Sequence, residues 1–396
     1  LFRGHTPTNS RAGKGGASRG AGRATMEVNV SQSLRPARVR IQEHMSMSTP
    51  PFRIINATAP IRICDLGGWT DTWFAERGTV LNIGVYPYAE AQLFVKKIAP
   101  GKARELVIHA ENFGERYAVP LPIEYEKHPL LEACLDVMEV PEDMDLEVNL
   151  YSNAPPGGST GTSAAISVAL LGALDLLTPG RMTPHEIAAL AQRVETEKLG
   201  LQCGIQDQLC SAYGGICYID MYEYPHASVS QIWVSNRIWW ELERRLVLVY
   251  LGRSHSSSEV HGRVIHNFEQ QNADKSALEP LRCAARKGKD ALYRGNFADF
   301  GKAMIENTDG QRALHPALVS PEAEAVFALA REHGAIGWKV NGAGGEGGSV
   351  TILCGPESEQ KRAFIQAVPS LNPAFQVLPI YLSRFGLRQW ESTGTT

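Results

Sequence analysis

The stretch PPGGSTGTSAAISVALLGAL, from Pro155 to Leu174, places three glycines and four hydroxyl side chains directly ahead of a long apolar run. A glycine-rich turn that opens a helix leaves backbone N–H groups unpaired at the positive end of the helix dipole, which suits a bound phosphate. A tight turn that only feeds a buried helix is the alternative, because a glycine-rich turn alone is a weak signal. Phosphate binding is therefore a hypothesis that other residues must support.

Two further segments combine glycines with polar or charged residues: APIRICDLGGWTDT, residues 59–72, and KVNGAGGEGGSVTIL, residues 339–353. In the first, the carboxylate of Asp71 could accept hydrogen bonds from neighbouring sugar hydroxyls, because an ionised carboxylate is only an acceptor. An Asx-turn at Asp71 is the alternative. In the second, five glycines allow a close approach of backbone to ligand.

These three motifs, in this order, resemble the GHMP kinase superfamily, named for galactokinase, homoserine kinase, mevalonate kinase and phosphomevalonate kinase. The resemblance covers the chain from about residue 53 to near the C-terminus. It implies a two-domain α+β fold, with the phosphate-binding loop in an N-terminal α+β domain and a ferredoxin-like C-terminal domain. It also implies ATP and Mg²⁺ as cofactors and an active site between the domains.

The first motif is most similar to sugar kinases, where an Asp follows the Arg by nine residues, as Asp71 follows Arg62. Gly67-Gly68-Trp69 is closer to the L-fucokinase and heptose-7-phosphate kinase branch than to galactokinase. The resemblance implies transfer of the γ-phosphoryl group to a monosaccharide or monosaccharide phosphate, at its anomeric hydroxyl. A mevalonate- or homoserine-type kinase and a catalytically silent sugar sensor are the alternatives.

The segment ETEKLGLQCGIQDQLCSAYGG, residues 195–215, resembles the sugar-kinase segment around GIMDQ. By this resemblance Asp207 is the base that accepts the proton of the attacking hydroxyl, and Arg62 is the cation that keeps it ionised. A solvated loop carboxylate is the alternative for Asp207. The residues implied to contact the substrate are Asp71, Gly68, Thr70 and Gly344.

The opening stretch is similar to the family's PxxxGLGSSAA loop, with Thr160 in place of Leu and Thr162 in place of the first Ser. The implied ATP-binding residues are Pro156, Gly157, Gly158, Ser159, Thr160, Gly161, Thr162, Ser163 and Ala164. The implied Mg²⁺ ligands are Ser163 and Glu195, and the neighbouring Thr162 is an alternative to Ser163. Helix geometry alone does not choose between Glu195 and Glu197, but the family places its metal-binding Glu twelve residues before the base. Glu197 is then an exposed partner for Arg193.

The elements around these motifs can be predicted from periodicity and capping. The alternation in DLEVNLYSNAP predicts a half-buried strand that leads into the loop, and residues 161–177 are apolar on every side, as in a buried helix. Thr183 to Glu186 forms a capping box that begins a helix ending at Gly200. We predict a disordered extension over residues 1–50, an ATP-binding domain over 51–252 and a C-terminal domain over 253–396.

Composition excludes several classes of protein. A net charge of −3 without a basic stripe argues against nucleic acid as a partner, and the longest apolar stretch is too short for a membrane span. Seven cysteines without a CxxC pair favour reduced thiols and a cytoplasmic protein. The remaining expected partner is a small-molecule sugar; the oligomeric state is open, with a homodimer among the options.

Overall fold

The computed structural model describes residues 52–254, 259–270 and 274–393. The extension predicted over residues 1–50 lies outside these ranges. No helix within them is long and apolar enough to cross a membrane.

Thirteen strands are present in the described ranges, and most of them follow β-rich runs bounded by Gly, Pro or Asn. They are β1 (Arg53–Leu66), β2 (Gly78–Lys97), β3 (Leu106–Ala110), β4 (Glu115–Ala118), β5 (Met144–Ser152), β6 (Ile216–Glu223), β7 (His226–Gln231), β8 (Leu246–Tyr250), β9 (Gly337–Val340), β10 (Ser349–Leu353), β11 (Gln376–Leu378), β12 (Tyr381–Leu382) and β13 (Arg388–Thr393).

Ten α-helices are described in the same ranges. They are α1 (Pro129–Val137), α2 (Thr162–Asp175), α3 (Pro184–Arg193), α4 (Gln206–Tyr213), α5 (Asn236–Arg245), α6 (Glu259–Glu269), α7 (Glu279–Arg294), α8 (Phe297–Leu314), α9 (Pro321–Glu332) and α10 (Ser358–Leu371). A π-helical turn, Val194–Lys198, continues α3.

The first sheet has nine strands, with the order β13-β1-β2-β5-β3-β4 along its main path. The long strand β2 organises it: its first part pairs with β6, and its second part pairs with β5. All pairings are antiparallel except that of β3 with β5. Helix α2 packs on β1 and β2, and its buried positions lie on all sides, as the sequence predicted.

The second sheet has four antiparallel strands in the order β11-β8-β10-β9. Numbered along the chain, this order is 4-1-3-2, with helices between the first and second and between the third and fourth strands. It is the arrangement of a ferredoxin-like domain, so the predicted fold class is confirmed.

The strands of each sheet come from both sides of the predicted domain boundary at residue 252. Strand β8 precedes residue 252 and lies in the second sheet, whereas β12 and β13, near the C-terminus, pair with β2 and β1 of the first. The boundary at residue 252 stays a prediction.

Helix α3 begins with the predicted capping box. The Thr183 hydroxyl accepts the Glu186 N–H at 3.3 Å, and the Glu186 carboxylate accepts the Thr183 N–H at 2.7 Å. Pro184 occupies the first helical position, where no N–H is needed. These hydrogen bonds fix the start of α3, and the π-helical turn that continues α3 carries Glu195.

Replacing the cap should weaken the fold without touching the phosphate loop. We expect Thr183→Ala to lower the free energy of unfolding by about 1 kcal/mol, because one N–H of the first turn loses its acceptor. Urea denaturation measures this loss. Ser228→Ala, at an exposed position of β7, is the control and should change stability by less than about 0.5 kcal/mol. Equal losses in the two variants would contradict the role of the cap.

Candidate active site

Arg62 and Asp207 form a two-point ion pair between β1 and the first turn of α4. Arg62 Nε donates to Asp207 Oδ1 at 2.7 Å, and Nη2 donates to Oδ2 at 3.1 Å. The arginine side chain is 5% exposed and the aspartate side chain 28% exposed. The cation is therefore enclosed, while the carboxylate keeps a face open to a ligand.

The charge state of this pair follows from its surroundings. Burial alone would lower the pKa of Arg62, but the carboxylates of Asp207 and Asp65 outweigh burial and hold that pKa above its ordinary value. The guanidinium is thus a permanent cation.

Asp71 positions the first turn of α4, from which Asp207 projects. Asp71 Oδ2 accepts the backbone N–H groups of Ile205 and Gln206, both at 3.0 Å, and Oδ1 accepts the Gln206 side-chain amide at 3.3 Å. The carboxylate therefore caps the helix from a distant part of the chain. Burial raises the pKa of Asp71 to about 6, although the hydrogen bond from Gln206 opposes the shift.

We call residues 155–161, which the sequence predicts to bind phosphate, the phosphate-binding loop. Its backbone has left-handed conformations at Gly157, Ser159 and Gly161. Two contacts tie it to Arg62: the arginine backbone N–H donates to the Thr160 carbonyl at 2.9 Å, and the guanidinium donates to the Ser159 carbonyl. The first backbone bond that closes onto this end of α2 runs from Ala165 N–H to the Gly161 carbonyl. The amides of residues 162–164 therefore precede the helical ladder and are available to an anion.

Gly161 brings this loop against the ion pair. A Cβ atom at this position would lie 3.1 Å from Asp207 Cγ and 3.3 Å from Arg62 Cγ. The φ of +68° also disfavours a side chain. Glycine thus accommodates both the left-handed backbone and the close approach of the helix N-terminus to the carboxylate.

The third motif packs beneath the loop. Ser349 Oγ donates to the Gly158 carbonyl at 2.6 Å, and a Cβ at Gly342 would lie 3.4 Å from Arg62 Nη2 and 3.3 Å from Ser159 Cβ. Residues 341–349 thus support the phosphate-binding loop and the arginine together. Glu346, the extra residue of the motif, is exposed and pairs with Arg253 at 3.3 Å.

A buried polar network behind the third motif was not predicted from the sequence. Lys339 and Asp65 are both 0% exposed, with Nζ and Oδ1 3.5 Å apart, and Asp65 also accepts the Gly342 N–H at 3.0 Å. Gln311 accepts from Lys339 Nζ at 3.0 Å and donates to the Gly342 carbonyl at 2.9 Å. Burial lowers the pKa of Lys339, and Asp65 opposes that change. These residues fix the position of Gly342, which packs against the Arg62 guanidinium.

Glu195 lies in the π-helical turn and points toward α4. Its Oε1 accepts the side-chain amide of Gln208 at 2.7 Å, next to Asp207 in sequence. Burial raises the pKa of Glu195 to about 7. Glu197, by contrast, is exposed and pairs with Arg193 at 3.1 Å, as expected. The π-turn thus separates an inward from an outward carboxylate.

The structure gives the predicted substrate residues partners within the protein. Thr70 is 0% exposed, and its hydroxyl donates to the Gly67 carbonyl at 2.7 Å and accepts the Thr79 N–H at 3.0 Å. Gly344 is buried, with its carbonyl 2.9 Å from His261 Nε2. Contact of these residues, of Gly68 and of Asp71 with a substrate stays a prediction.

A cavity of about 280 Å³ continues from the phosphate-binding loop toward α1 and β5. Pro156, Gly157, Thr162 and Ser163 form one side of it. Most of its other lining residues are apolar: Ala110, Phe113, Pro129, Leu130, Leu131, Leu150, Ala154 and Ile166. The polar ones are Asn112, Lys127, His128 and Ser152. The sequence carried no sign of this cavity, because its walls come from four separated segments.

Profiles of known families match both parts of the chain: the GHMP kinases N terminal domain over residues 130–215, and the GHMP kinases C terminal over residues 289–371. A mevalonate kinase of Thermococcus sibiricus is 31% identical over 264 residues, which make up 65% of this chain and 73% of that protein. The chain belongs to the GHMP kinase family. The resemblance read from the three motifs is confirmed.

Similarity extends to sugar kinases. The D-glycero-alpha-D-manno-heptose 7-phosphate kinase of Campylobacter jejuni is 25% identical over 313 residues, 75% of this chain and 88% of that protein. The bifunctional fucokinase/GDP-fucose pyrophosphorylase of Arabidopsis thaliana is 25% identical over 311 residues, but these make up only 29% of that longer protein.

A solved structure, a D-glycero-D-manno-heptose 1-phosphate kinase from Bacteroides thetaiotaomicron, has the same fold. Its TM-score is 0.66 at 22% identity, over 85% of this chain and 98% of that one. From the sequence matches and this common fold, we conclude that the protein is a phosphotransferase that uses an alcohol group as acceptor.

The contact between loop and carboxylate can be tested at Gly161. We expect Gly161→Ala to lower kcat/KM for the phosphoryl transfer by about 100-fold or more, because the new methyl group separates the helix N-terminus from Asp207. Gly180→Ala is the matched control, since a Cβ there meets nothing within 4 Å. Steady-state kinetics and circular dichroism on both variants make the comparison. An active Gly161→Ala enzyme would contradict this geometry.

Proposed function

We propose that this protein is an ATP- and Mg²⁺-dependent kinase that phosphorylates a monosaccharide or monosaccharide phosphate at its anomeric hydroxyl. One observation carries the proposal: the Arg62-paired carboxylate of Asp207 lies against Gly161, at the N-terminus of the helix that follows the glycine-rich loop. A base beside an anion-binding helix end is the arrangement that phosphoryl transfer to a hydroxyl requires.

The nucleotide would lie across the loop. Its phosphates fit the amides of residues 162–164, where the positive end of the α2 dipole favours negative charge. Its base fits the mainly apolar cavity behind Pro156 and Ser163, which offers flat hydrophobic walls and a few polar groups. Both parts of the site meet at the same loop, so the terminal phosphoryl group would point toward Asp207.

Ser163 and Glu195 are the residues that would hold Mg²⁺. The Ser163 side chain is exposed at the first turn of α2, and the half-buried carboxylate of Glu195 has a raised pKa, which a bound cation would reverse. One carboxylate and one hydroxyl suit Mg²⁺, which takes its other ligands from phosphates and water. When bound, the ion neutralises phosphate charge during the transfer.

Asp207 would accept the proton of the attacking hydroxyl. Arg62 donates one hydrogen bond to each carboxylate oxygen of Asp207, and each oxygen keeps lone pairs for the sugar. These two hydrogen bonds fix the plane of the carboxylate. Asp71 also helps to position Asp207, because it accepts a backbone N–H of the first turn of α4, from which Asp207 projects.

The names of two relatives support a sugar acceptor, the heptose 7-phosphate kinase and the fucokinase-containing protein. A specific observation favours a second candidate, since the mevalonate kinase of Thermococcus sibiricus has the higher identity, at 31%. The two candidates differ in acceptor and share the phosphate-binding loop.

An ADP-release assay with a panel of acceptors decides between them. The panel contains D-mannose, L-fucose, D-galactose, a heptose 7-phosphate, mevalonate and homoserine. We expect turnover with a sugar or sugar phosphate, and loss of that turnover when the anomeric position is blocked as a methyl glycoside. Turnover with mevalonate alone would establish the second candidate. ATP binding without ADP release on any acceptor would favour a sensor.

The role of Asp207 predicts a separation of binding from turnover. We expect Asp207→Asn to bind ATP as the wild type does and to lose about 10³-fold in kcat, because the amide cannot accept the hydroxyl proton. Calorimetry measures nucleotide binding, and the ADP assay measures turnover. Asp143→Asn, at an exposed turn, is the control. Near-normal turnover of Asp207→Asn would refute the assignment of the base.

The raised pKa of Glu195 predicts a pH dependence of Mg²⁺ affinity. Below pH 7 the carboxyl binds a proton in competition with the metal, so affinity should fall up to about tenfold per pH unit as pH decreases, and level off above 7. Calorimetric titration of Mg²⁺ into the complex with a non-hydrolysable ATP analogue measures this.

Two variants isolate the contribution of Glu195 from that of the nucleotide's own protonation. Glu197→Gln should keep the wild-type pH profile, because this side chain is exposed and paired with Arg193. Glu195→Gln should bind Mg²⁺ more weakly and retain only the dependence due to the nucleotide. Identical profiles for the two variants would remove Glu195 from the metal site.

A further inference from the structure

A polar hollow of about 180 Å³ lies on the first sheet, away from the phosphate-binding loop. It shares no lining residue with the cavity of about 280 Å³ beside that loop and includes neither Arg62 nor Asp207. Thr58, which lines it, precedes Arg62 by four residues on β1, a distance of about 13 Å along an extended strand. We call this feature the outer-sheet hollow.

Strand register builds the hollow from two rows of side chains. Trp390, Asn56, Gln92 and Asn149 are successive partners across β13, β1, β2 and β5. The second row, one pleat further along, contains Arg388, Thr58, Glu90 and Tyr151, and the guanidinium of Arg388 lies over the Tyr88 ring. Because alternate residues of a strand share a face, both rows project from the same side of the sheet.

Two polar atoms of the hollow lack a partner. Thr58 Oγ1 and Asn149 Oδ1 are buried and make no hydrogen bond within the described residues. Their neighbours are paired: Gln92 Nε2 donates to Asn56 Oδ1 at 2.8 Å. Unsatisfied buried groups cost stability, and both side chains line the hollow, so a polar ligand that draws either of them outward would supply the missing partner.

The chemistry of the lining selects the ligand. Amide side chains both donate and accept, as sugar hydroxyls do. Trp390, with 47% of its surface exposed, offers a flat apolar face to the C–H side of a sugar ring. Glu90 and Glu111 line the hollow and no Lys or Arg does, which disfavours an anion. The volume is below the 300 Å³ or more of pockets for drug-sized molecules.

We propose that the outer-sheet hollow is a binding site for a single neutral monosaccharide ring, separate from the active site. The ring stacks on Trp390 while its hydroxyls bond to Asn149, Thr58 and the carboxylate of Glu90. This inference does not depend on the identity of the acceptor in the active site.

Tryptophan indole resonances of the protein labelled with ¹⁵N-tryptophan test the proposal. Trp390→Phe assigns the Trp390 signal, and D-mannose, D-galactose and L-fucose are titrated to about 50 mM, which reveals even a millimolar dissociation constant. We expect a saturable shift of the Trp390 signal with at least one sugar. The signal of Trp233, exposed outside the hollow, should not move. D-mannose 6-phosphate should bind more weakly than D-mannose, and acyclic sorbitol should cause no saturable shift.

Asn149→Leu distinguishes a built site from loose stacking. It should fold at least as well as the wild type, because the amide oxygen it removes has no partner, and should keep normal turnover in the ADP assay. We expect its sugar affinity at the Trp390 signal to fall about tenfold or more. Thr58→Val, a second variant of equal size, should act in the same direction. The control is Gln376→Leu, at an exposed position of the second sheet.

Three results would overturn the proposal. They are the absence of any Trp390 shift with the three sugars, an unchanged sugar affinity in both Asn149→Leu and Thr58→Val, and a sorbitol shift as large as that of the sugars. Each result is independent of turnover, so a failure here leaves the proposed kinase function intact.

Discussion

The ion pair between Arg62 and Asp207 is the interaction on which the site depends. It joins the first strand of the large sheet to the first turn of α4, and the phosphate-binding loop closes over it through Ser159, Thr160 and Gly161. Enclosing a charge is costly unless it is paired and hydrogen-bonded. The Arg62–Asp207 pair meets both conditions. Its main contribution is to fix the position of the Asp207 carboxylate rather than to stabilise the fold.

Strained backbone conformations occur close to this ion pair. Five non-glycine residues in the described ranges have positive φ, and three of them, Cys64, Trp69 and Ser159, lie in the first motif or the phosphate-binding loop. Such conformations persist only where the surroundings enforce them. The Trp69 indole donates to the Ala343 carbonyl at 3.1 Å, and Asn341 accepts the Cys64 N–H at 3.0 Å. The third motif thus enforces the shape of the first.

Local signals predicted the elements well. The capping box at Thr183, the alternation of β5 and the all-round apolar character of α2 depend on neighbours within a few residues, and the structure contains all three. Strand pairing did not follow from such signals. That β8 belongs to the second sheet, and β12 and β13 to the first, depends on partners 99 or more residues away. Periodicity describes which face of a strand is buried and carries no information about its neighbour.

The sequence by itself determined the residues that could do chemistry: the glycine-rich loop, Arg62, Asp207 and the spacing of Glu195. Tertiary structure alone decided what surrounds them. Asp71 was expected at a sugar hydroxyl, and the fold gives it the backbone N–H groups that begin α4. The Asp65–Lys339 network, the cavity beside Ser163 and the outer-sheet hollow had no sequence signature. The reason is physical: motif residues act through short-range backbone geometry, whereas buried hydrogen bonds and cavities exist only where distant segments meet.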